Sequence, residues 1–261
     1  MDDEELRIFY REAEAFVRGD GSDLVKKAGG KWKTRKPQSL KRVYFLLVDS
    51  LLSNRKVRER VGRPETFSGS LFAFDPLMVE KRYGDHWTWL CGACEAEDPK
   101  RKGFITHMEN FAKAALSGAI FMTKLGTIEM FHDLVEGYYD KPSTAAVLPV
   151  LLDYDIENLG FGCACRFLNK SGYPDYEEIK TPVKALLNEL GITTSREDHA
   201  ALEGLIRIAR LNSVYGVTGE IANQVLWRLA RALIDGIRRL DSLPRSLIDR
   251  LKPLLLKGGD V

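Results

Sequence analysis

Apolar residues recur every three or four positions along most of the chain, which is the spacing of amphipathic helices. The first such segment, residues 3–17, places Leu6, Phe9, Tyr10, Ala13 and Phe16 on one face. The same spacing continues through most of the sequence, with turn residues between the periodic segments. The pattern therefore predicts helices at 3–17, 40–52, 104–125, 128–139, 143–152, 161–171, 181–190, 198–212, 218–240 and 244–257, and an all-α fold.

One loop-rich region interrupts this helical spacing of apolar residues. Residues 63–84 contain Pro64, Gly69 and Pro76, which favour turns. The short apolar segment Ser70–Phe74 within this region could pair as a strand.

The most informative stretch runs from Asn158 to Asp175. Gly160 and Gly162 permit positive φ angles and close backbone approach, so we expect a tight turn that leads directly into a helix. Gly172 is expected to end that helix, and Pro174 prevents its continuation. Free N–H groups and the positive end of the helix dipole favour anions, so this turn is a candidate contact for a DNA phosphate.

These residues carry a resemblance to a known family. The run Leu159-Gly160-Phe161-Gly162, followed by small residues, an apolar pair and Gly172-Tyr173, resembles the hairpin of the helix-hairpin-helix DNA glycosylase superfamily. The segment 179–187 resembles the part that follows the hairpin there, and 214–229 resembles the closing helix with its Leu226-Trp227 pair. The similarity covers roughly the second half of the chain.

The resemblance implies a two-lobed helical fold that binds double-stranded DNA and flips a base out of the helix. One lobe would comprise residues 1–45 with 191–261, and the other residues 46–190, with the substrate cleft between them. Asn54 follows an apolar helix and is the candidate to fill the gap left by the flipped base. Three consecutive basic residues, Lys100, Arg101 and Lys102, are further candidates for phosphate contacts.

The sequence departs from the family at its catalytic position. The catalytic Asp of the family would fall at Lys180, and its nucleophilic Lys near Gly162 or Ala164. An ammonium would repel an oxocarbenium ion, so the usual glycosylase mechanism is not expected.

The missing Asp is expected in the phage amino acid:DNA transferases, also called α-glutamyl/putrescinyl thymine pyrophosphorylases, which are related to these glycosylases. This chain looks like it could be one of them, because cleavage at C1′ would destroy the product of such an enzyme. The transferase would replace the pyrophosphate of a pyrophosphorylated 5-hydroxymethyluracil with a small amine or amino acid. Lys180, aided by Lys184 or the hairpin amides, would stabilise the departing pyrophosphate, and Asp175 or Glu178 would orient or deprotonate the amine.

Three alternatives stay open. The chain could be a glycosylase with a displaced catalytic residue, which would be Asp175 or a buried, imine-forming Lys180. It could be a DNA-binding relative without chemistry. It could also be an unrelated helical protein in which Lys180 is an exposed residue at a helix start.

The composition and net charge of the chain exclude few classes of function. A net charge of +2 and a pI of about 8.2 neither require nor exclude nucleic acid. No apolar run reaches membrane-spanning length, and the acidic N-terminus is unlike a signal peptide, so we expect a cytoplasmic protein in a bacterial or phage-infected cell, with no membrane partner.

The four cysteines form two close pairs, Cys91-x-x-Cys94 and Cys163-x-Cys165. Four thiolates could bind zinc or an iron–sulfur cluster. Cys-x-Cys is an uncommon zinc spacing, and both pairs fit small packing positions in helices. We therefore expect no metal and no cofactor.

Overall fold

The computed structural model describes residues 1–19, 35–97 and 105–234. Within these residues it contains twelve α-helices, three short 3₁₀ turns and no strand, which confirms the predicted all-α class. The helices are α1 (Asp3–Gly19), α2 (Leu40–Leu51), α3 (Arg55–Val61), α4 (Pro76–Tyr83), α5 (Trp87–Glu97), α6 (Ile105–Leu125), α7 (Ile128–Tyr139), α8 (Pro142–Asp155), α9 (Phe161–Lys170), α10 (Thr181–Glu189), α11 (Asp198–Leu211) and α12 (Gly219–Ile234).

The chain divides into two compact units. Unit 1 comprises residues 1–33 and 174–261, and unit 2 comprises residues 34–173. The segments 34–45 and 174–190 thus lie in the other unit from the lobe to which the sequence analysis assigned them. Helix α9 therefore belongs to unit 2, whereas the segment that follows Tyr173 belongs to unit 1.

Helix α12 is the centre of the described part of unit 1, since it packs against α1, α10 and α11. Its inward face buries six apolar residues, Ile221, Ala222, Val225, Leu226, Leu229 and Ala230. Helix α1 begins with a reciprocal cap, in which the Glu5 backbone N–H donates to Asp2 Oδ1 (2.8 Å) and the Asp2 N–H donates to Glu5 Oε2 (3.1 Å). Arg207 of α11 ties this helix start to its neighbour through an ion pair with Asp3 (2.6 Å).

The long helix α6 organises unit 2. It packs against α2, α3, α4, α5 and α7, while α9 packs against α2 and α8. The buried face of α6 is formed largely by small residues, which allow the neighbouring helices to approach closely. Asp49 then fixes α3 and α9 against α2, because its carboxylate pairs with Lys170 (2.6 Å) and Arg58 (3.1 Å).

The strand predicted at Ser70–Phe74 is wrong. Residues Phe72–Phe74 form a 3₁₀ turn in which all three residues have positive φ angles of 48°, 51° and 61°. The turn is held by the Ala73 N–H, which donates to Ser68 O (2.7 Å), and by Phe74, whose ring meets Phe45 edge-on at 4.9 Å. Tertiary packing, and not strand pairing, therefore sets the backbone at this point.

Among the described helices, none combines enough length with enough apolar character to cross a bilayer.

Candidate nucleic-acid interface

The loop between α8 and α9, residues 156–160, has the tight geometry expected from its sequence. Asn158 and Gly160 adopt left-handed φ angles of 58° and 75°. The Gly160 N–H donates to Asp153 Oδ1 (2.7 Å), and the Gly160 carbonyl accepts from Cys163 and Ala164 in the first turn of α9. The positive φ predicted for Gly160 is confirmed, whereas Gly162 lies inside α9 and does not have a positive φ.

The far end of α9 is closed by a Schellman motif. The Tyr173 N–H donates to Leu168 O (3.2 Å), and the Gly172 N–H donates to Asn169 O (3.0 Å). Gly172 has a φ of 94°, which confirms that it ends the helix as predicted. Both ends of α9 are thus fixed by local hydrogen bonds, so the helix and the loop before it form a defined element.

A pocket of about 240 Å³ lies beside this loop, inside unit 2. The end of α2, the α2–α3 turn, α3, the first turns of α6, the α8–α9 loop and α9 form it. Its lining residues are Leu51, Asn54, Val57, His107, Asn110, Phe111, Asn158, Leu159, Cys163 and Arg166. Asn54 and the loop, two of the candidates for DNA contact from the sequence, therefore border one concave surface.

Asn54 itself caps α3. Its side-chain oxygen accepts from the Lys56 N–H at 2.9 Å, and the residue is exposed. Capping uses only the oxygen, so the amide NH₂ group of Asn54 remains a hydrogen-bond donor at the pocket.

Helix α3 makes the surface next to the pocket basic. Four of its seven residues are Arg or Lys, and Arg55 and Lys56 are exposed. The Arg55 side chain is 92% exposed and pairs with Glu59 (2.7 Å). Lys113 of α6 pairs with the loop residue Glu157 at 3.7 Å and lies 4.7 Å from the centre of the Trp87 ring.

The three candidates for catalysis, Asp175, Glu178 and Lys180, belong to unit 1, as does Lys184, whereas the residues of the pocket belong to unit 2. Asp175 is only 9% exposed, and its carboxylate accepts from Arg210 Nε at 3.4 Å. Lys184 pairs with Asp198 across α10 and α11. Both side chains therefore form ion pairs that contribute to the packing of unit 1.

Lys180 and Glu178 differ from these paired residues in their exposure. Both are exposed, and Lys180 is the N-cap residue of α10, one residue before the first helical position. The burial that would allow Lys180 to act as an imine-forming nucleophile is not observed. Lys100, Arg101 and Lys102 lie outside the described residues.

The cysteines are packing residues where the structure describes them. All four are buried, and burial raises the pKa of Cys91 to about 11 and that of Cys94 to about 12. Thiols with such pKa values are protonated near neutral pH. Among the described residues no three His, Cys, Asp or Glu side chains are grouped to hold a metal ion.

Several polar residues of the pocket were not among the candidates from sequence. His107, Asn110, Asn158 and Arg166 come from three separate elements, and only the fold brings them together. The one sequence signal is on α6, where positions 107, 110 and 111 share a helix face. Comparisons of the chain with protein-family models, with curated proteins and with solved structures found no match.

Proposed function

We propose that this chain binds duplex DNA through the surface of unit 2 that carries the α8–α9 loop. In this proposal α8, the loop and α9 are the helix-hairpin-helix motif, and α3 contacts the neighbouring phosphates. One observation carries it: Asn54 and the loop residues Asn158 and Leu159 line the same pocket, next to a helix rich in exposed cations. Cations on a concave surface attract the DNA backbone.

We expect charge reversal on α3 to weaken DNA binding. The variant Arg55→Glu/Lys56→Glu should lose tenfold or more in affinity for a duplex, because two cations become two anions beside the backbone. The slope of log affinity against log salt concentration should also become less steep by about two. Fluorescence anisotropy with a labelled duplex at several salt concentrations measures both quantities.

The matched control is Lys81→Glu/Arg82→Glu at the end of α4. It changes the charge of unit 2 by the same amount, on exposed residues of a helix that does not line the pocket. Its affinity should stay within about threefold of wild type, because it keeps the cations beside the loop. Equal losses in both variants would contradict binding through α3.

The chemistry that we propose is transfer of an amine to a pyrophosphorylated 5-hydroxymethyluracil in DNA. The amine nitrogen forms a bond to the exocyclic methylene carbon, the bond from that carbon to oxygen breaks, and pyrophosphate leaves with the electron pair. The amine gives up one proton to a base. Exposed Lys180 suits the stabilisation of the leaving group, and exposed Glu178 suits the base better than Asp175, which is buried and paired with Arg210.

Mass spectrometry of nucleosides tests this proposal directly. DNA containing 5-hydroxymethyluracil, its pyrophosphorylated form or common lesions is incubated with the protein and a mixture of amino acids and polyamines. We expect a heavier nucleoside that keeps its sugar, and Lys180→Ala should lower its rate of formation about a hundredfold. The control is Lys141→Ala, since Lys141 is also an exposed N-cap lysine close to a proline.

The same experiment separates the alternatives. A released free base would indicate a glycosylase, and borohydride trapping would then test Lys180 as the nucleophile. A DNA-binding protein without chemistry is favoured by one observation, namely that Asp175 and Lys184 already form ion pairs within unit 1. It would give neither a new nucleoside nor a free base, although DNA binding would still respond to the α3 variant.

A further inference from the structure

The pocket in unit 2 is lined by an unusual set of polar groups. Five of its ten lining residues carry side-chain N–H groups: Asn54, His107, Asn110, Asn158 and Arg166. None of the described residues that line it is Asp or Glu. The whole chain has nearly as many acidic residues (37) as basic residues (39). A pocket lined by N–H donors and by no carboxylate is therefore suited to a ligand that carries several hydrogen-bond acceptors.

Arg60 determines the tautomer of His107, the histidine in this pocket. Its Nη1 lies 2.8 Å from His107 Nε2. A guanidinium has donors only, so Nε2 must be the acceptor and the proton of the neutral ring is on Nδ1. In this tautomer, His107 offers its Nδ1–H as a donor.

The loop carboxylate next to the pocket residue Asn158 already has partners. Glu157 precedes Asn158, accepts a long hydrogen bond from its amide (3.4 Å) and pairs with Lys113 (3.7 Å). The loop N–H of Gly160 is likewise occupied by Asp153. A ligand in this pocket would consequently meet side-chain donors of α3, α6 and α9 and not the amide of Gly160.

We propose that this pocket binds a phosphoryl oxyanion. Oxygens of a phosphoryl group accept several hydrogen bonds at once and prefer charged donors such as Arg166. The pocket volume of about 240 Å³ is below the usual range for drug-sized ligands, which suits one or two phosphoryl groups. The phosphoryl group comes either from the DNA backbone or from pyrophosphate, and this site does not depend on the transfer chemistry proposed above.

Titration calorimetry on the full chain tests this inference, with inorganic pyrophosphate and an unmodified duplex as separate probes. The variant Asn110→Asp places a negative charge at an exposed lining position with almost no change in shape. We expect it to weaken binding of at least one probe tenfold or more, about 1.4 kcal/mol. Gln38→Glu, which adds the same charge to an exposed residue of unit 2 outside the pocket, should leave both affinities unchanged.

The outcomes separate the two sources. Weakened pyrophosphate binding in Asn110→Asp identifies a terminal phosphoryl group, and weakened duplex binding alone identifies a backbone phosphate. Wild-type affinity of this variant for both probes would overturn the inference. Nitrogen-detected NMR of His107 gives an independent check, because an Nε2–H tautomer in the free protein would also overturn it. Neither result depends on whether the nucleoside experiment detects chemistry.

Discussion

Gly219→Ala is expected to destabilise unit 1 by about 3 kcal/mol, although Ala favours a helix over Gly by about 1 kcal/mol. A methyl group on Gly219 would stand 2.4 Å from the carbonyl oxygen of Asp175 and 2.8 Å from its C and Cα atoms. These are backbone atoms, so no rotation of a side chain relieves the overlap. The first turn of α12 would have to move away from residue 175, and the buried contacts of α12 with α10 and α11 would loosen with it.

Gly137→Ala is the matched control for this substitution. Gly137 lies within α7, and a methyl group there meets nothing within 4 Å. Removing a glycine from an open helical position should stabilise the protein by about 0.5–1 kcal/mol, so the two substitutions are expected to differ in sign. Urea unfolding followed by circular dichroism gives both values, and hydrogen exchange should locate the loss from Gly219→Ala in α10 to α12. Wild-type stability of Gly219→Ala would mean that the α12 start does not approach residue 175 so closely.

The helices of this protein were predictable because their signals are local. Periodic apolar residues predicted nine of the described helices, and Gly172 marked the end of α9 through the φ angle that a Schellman motif requires. The turn at Phe72–Phe74 was not predictable, since aromatic and alanine residues rarely adopt positive φ. Contacts with distant residues such as Phe45 hold that turn, and they are invisible in the sequence.

The candidate interface was predictable only in part, for the same reason. The α8–α9 loop was a candidate because of its glycines and the helix start that follows them, Asn54 was a candidate because of the family resemblance, and both border the pocket. The roles of His107, Arg60 and Asn110 could not be predicted, because these residues come together only through the packing of α6 against α3. In unit 1 the sequence could not show that Asp175 meets Arg210, 35 residues later, and this ion pair now shifts the proposed base to Glu178.

Phe167→Ala is expected to destabilise unit 2 by about 3–5 kcal/mol. Phe167 is fully buried on α9, and its ring packs 5.8 Å from the ring of Phe131 on α7, which is also fully buried. Removing the ring leaves a cavity between two helices that cannot easily close. Helix α9 has only ten residues, too few to persist without its packing, so the loss should appear as faster hydrogen exchange throughout 161–170.

Tyr154→Ala removes an aromatic ring of similar size as a control. Tyr154 is 88% exposed on α8, so its truncation should change stability by less than about 0.5 kcal/mol. The comparison also tests how the interface depends on α9, because Cys163 and Arg166 of the pocket lie on the same helix as Phe167. If α9 positions those side chains, Phe167→Ala must weaken phosphoryl binding even at a temperature where the protein stays folded. Unchanged binding under those conditions would show that the phosphoryl group is held by α3 and α6 alone.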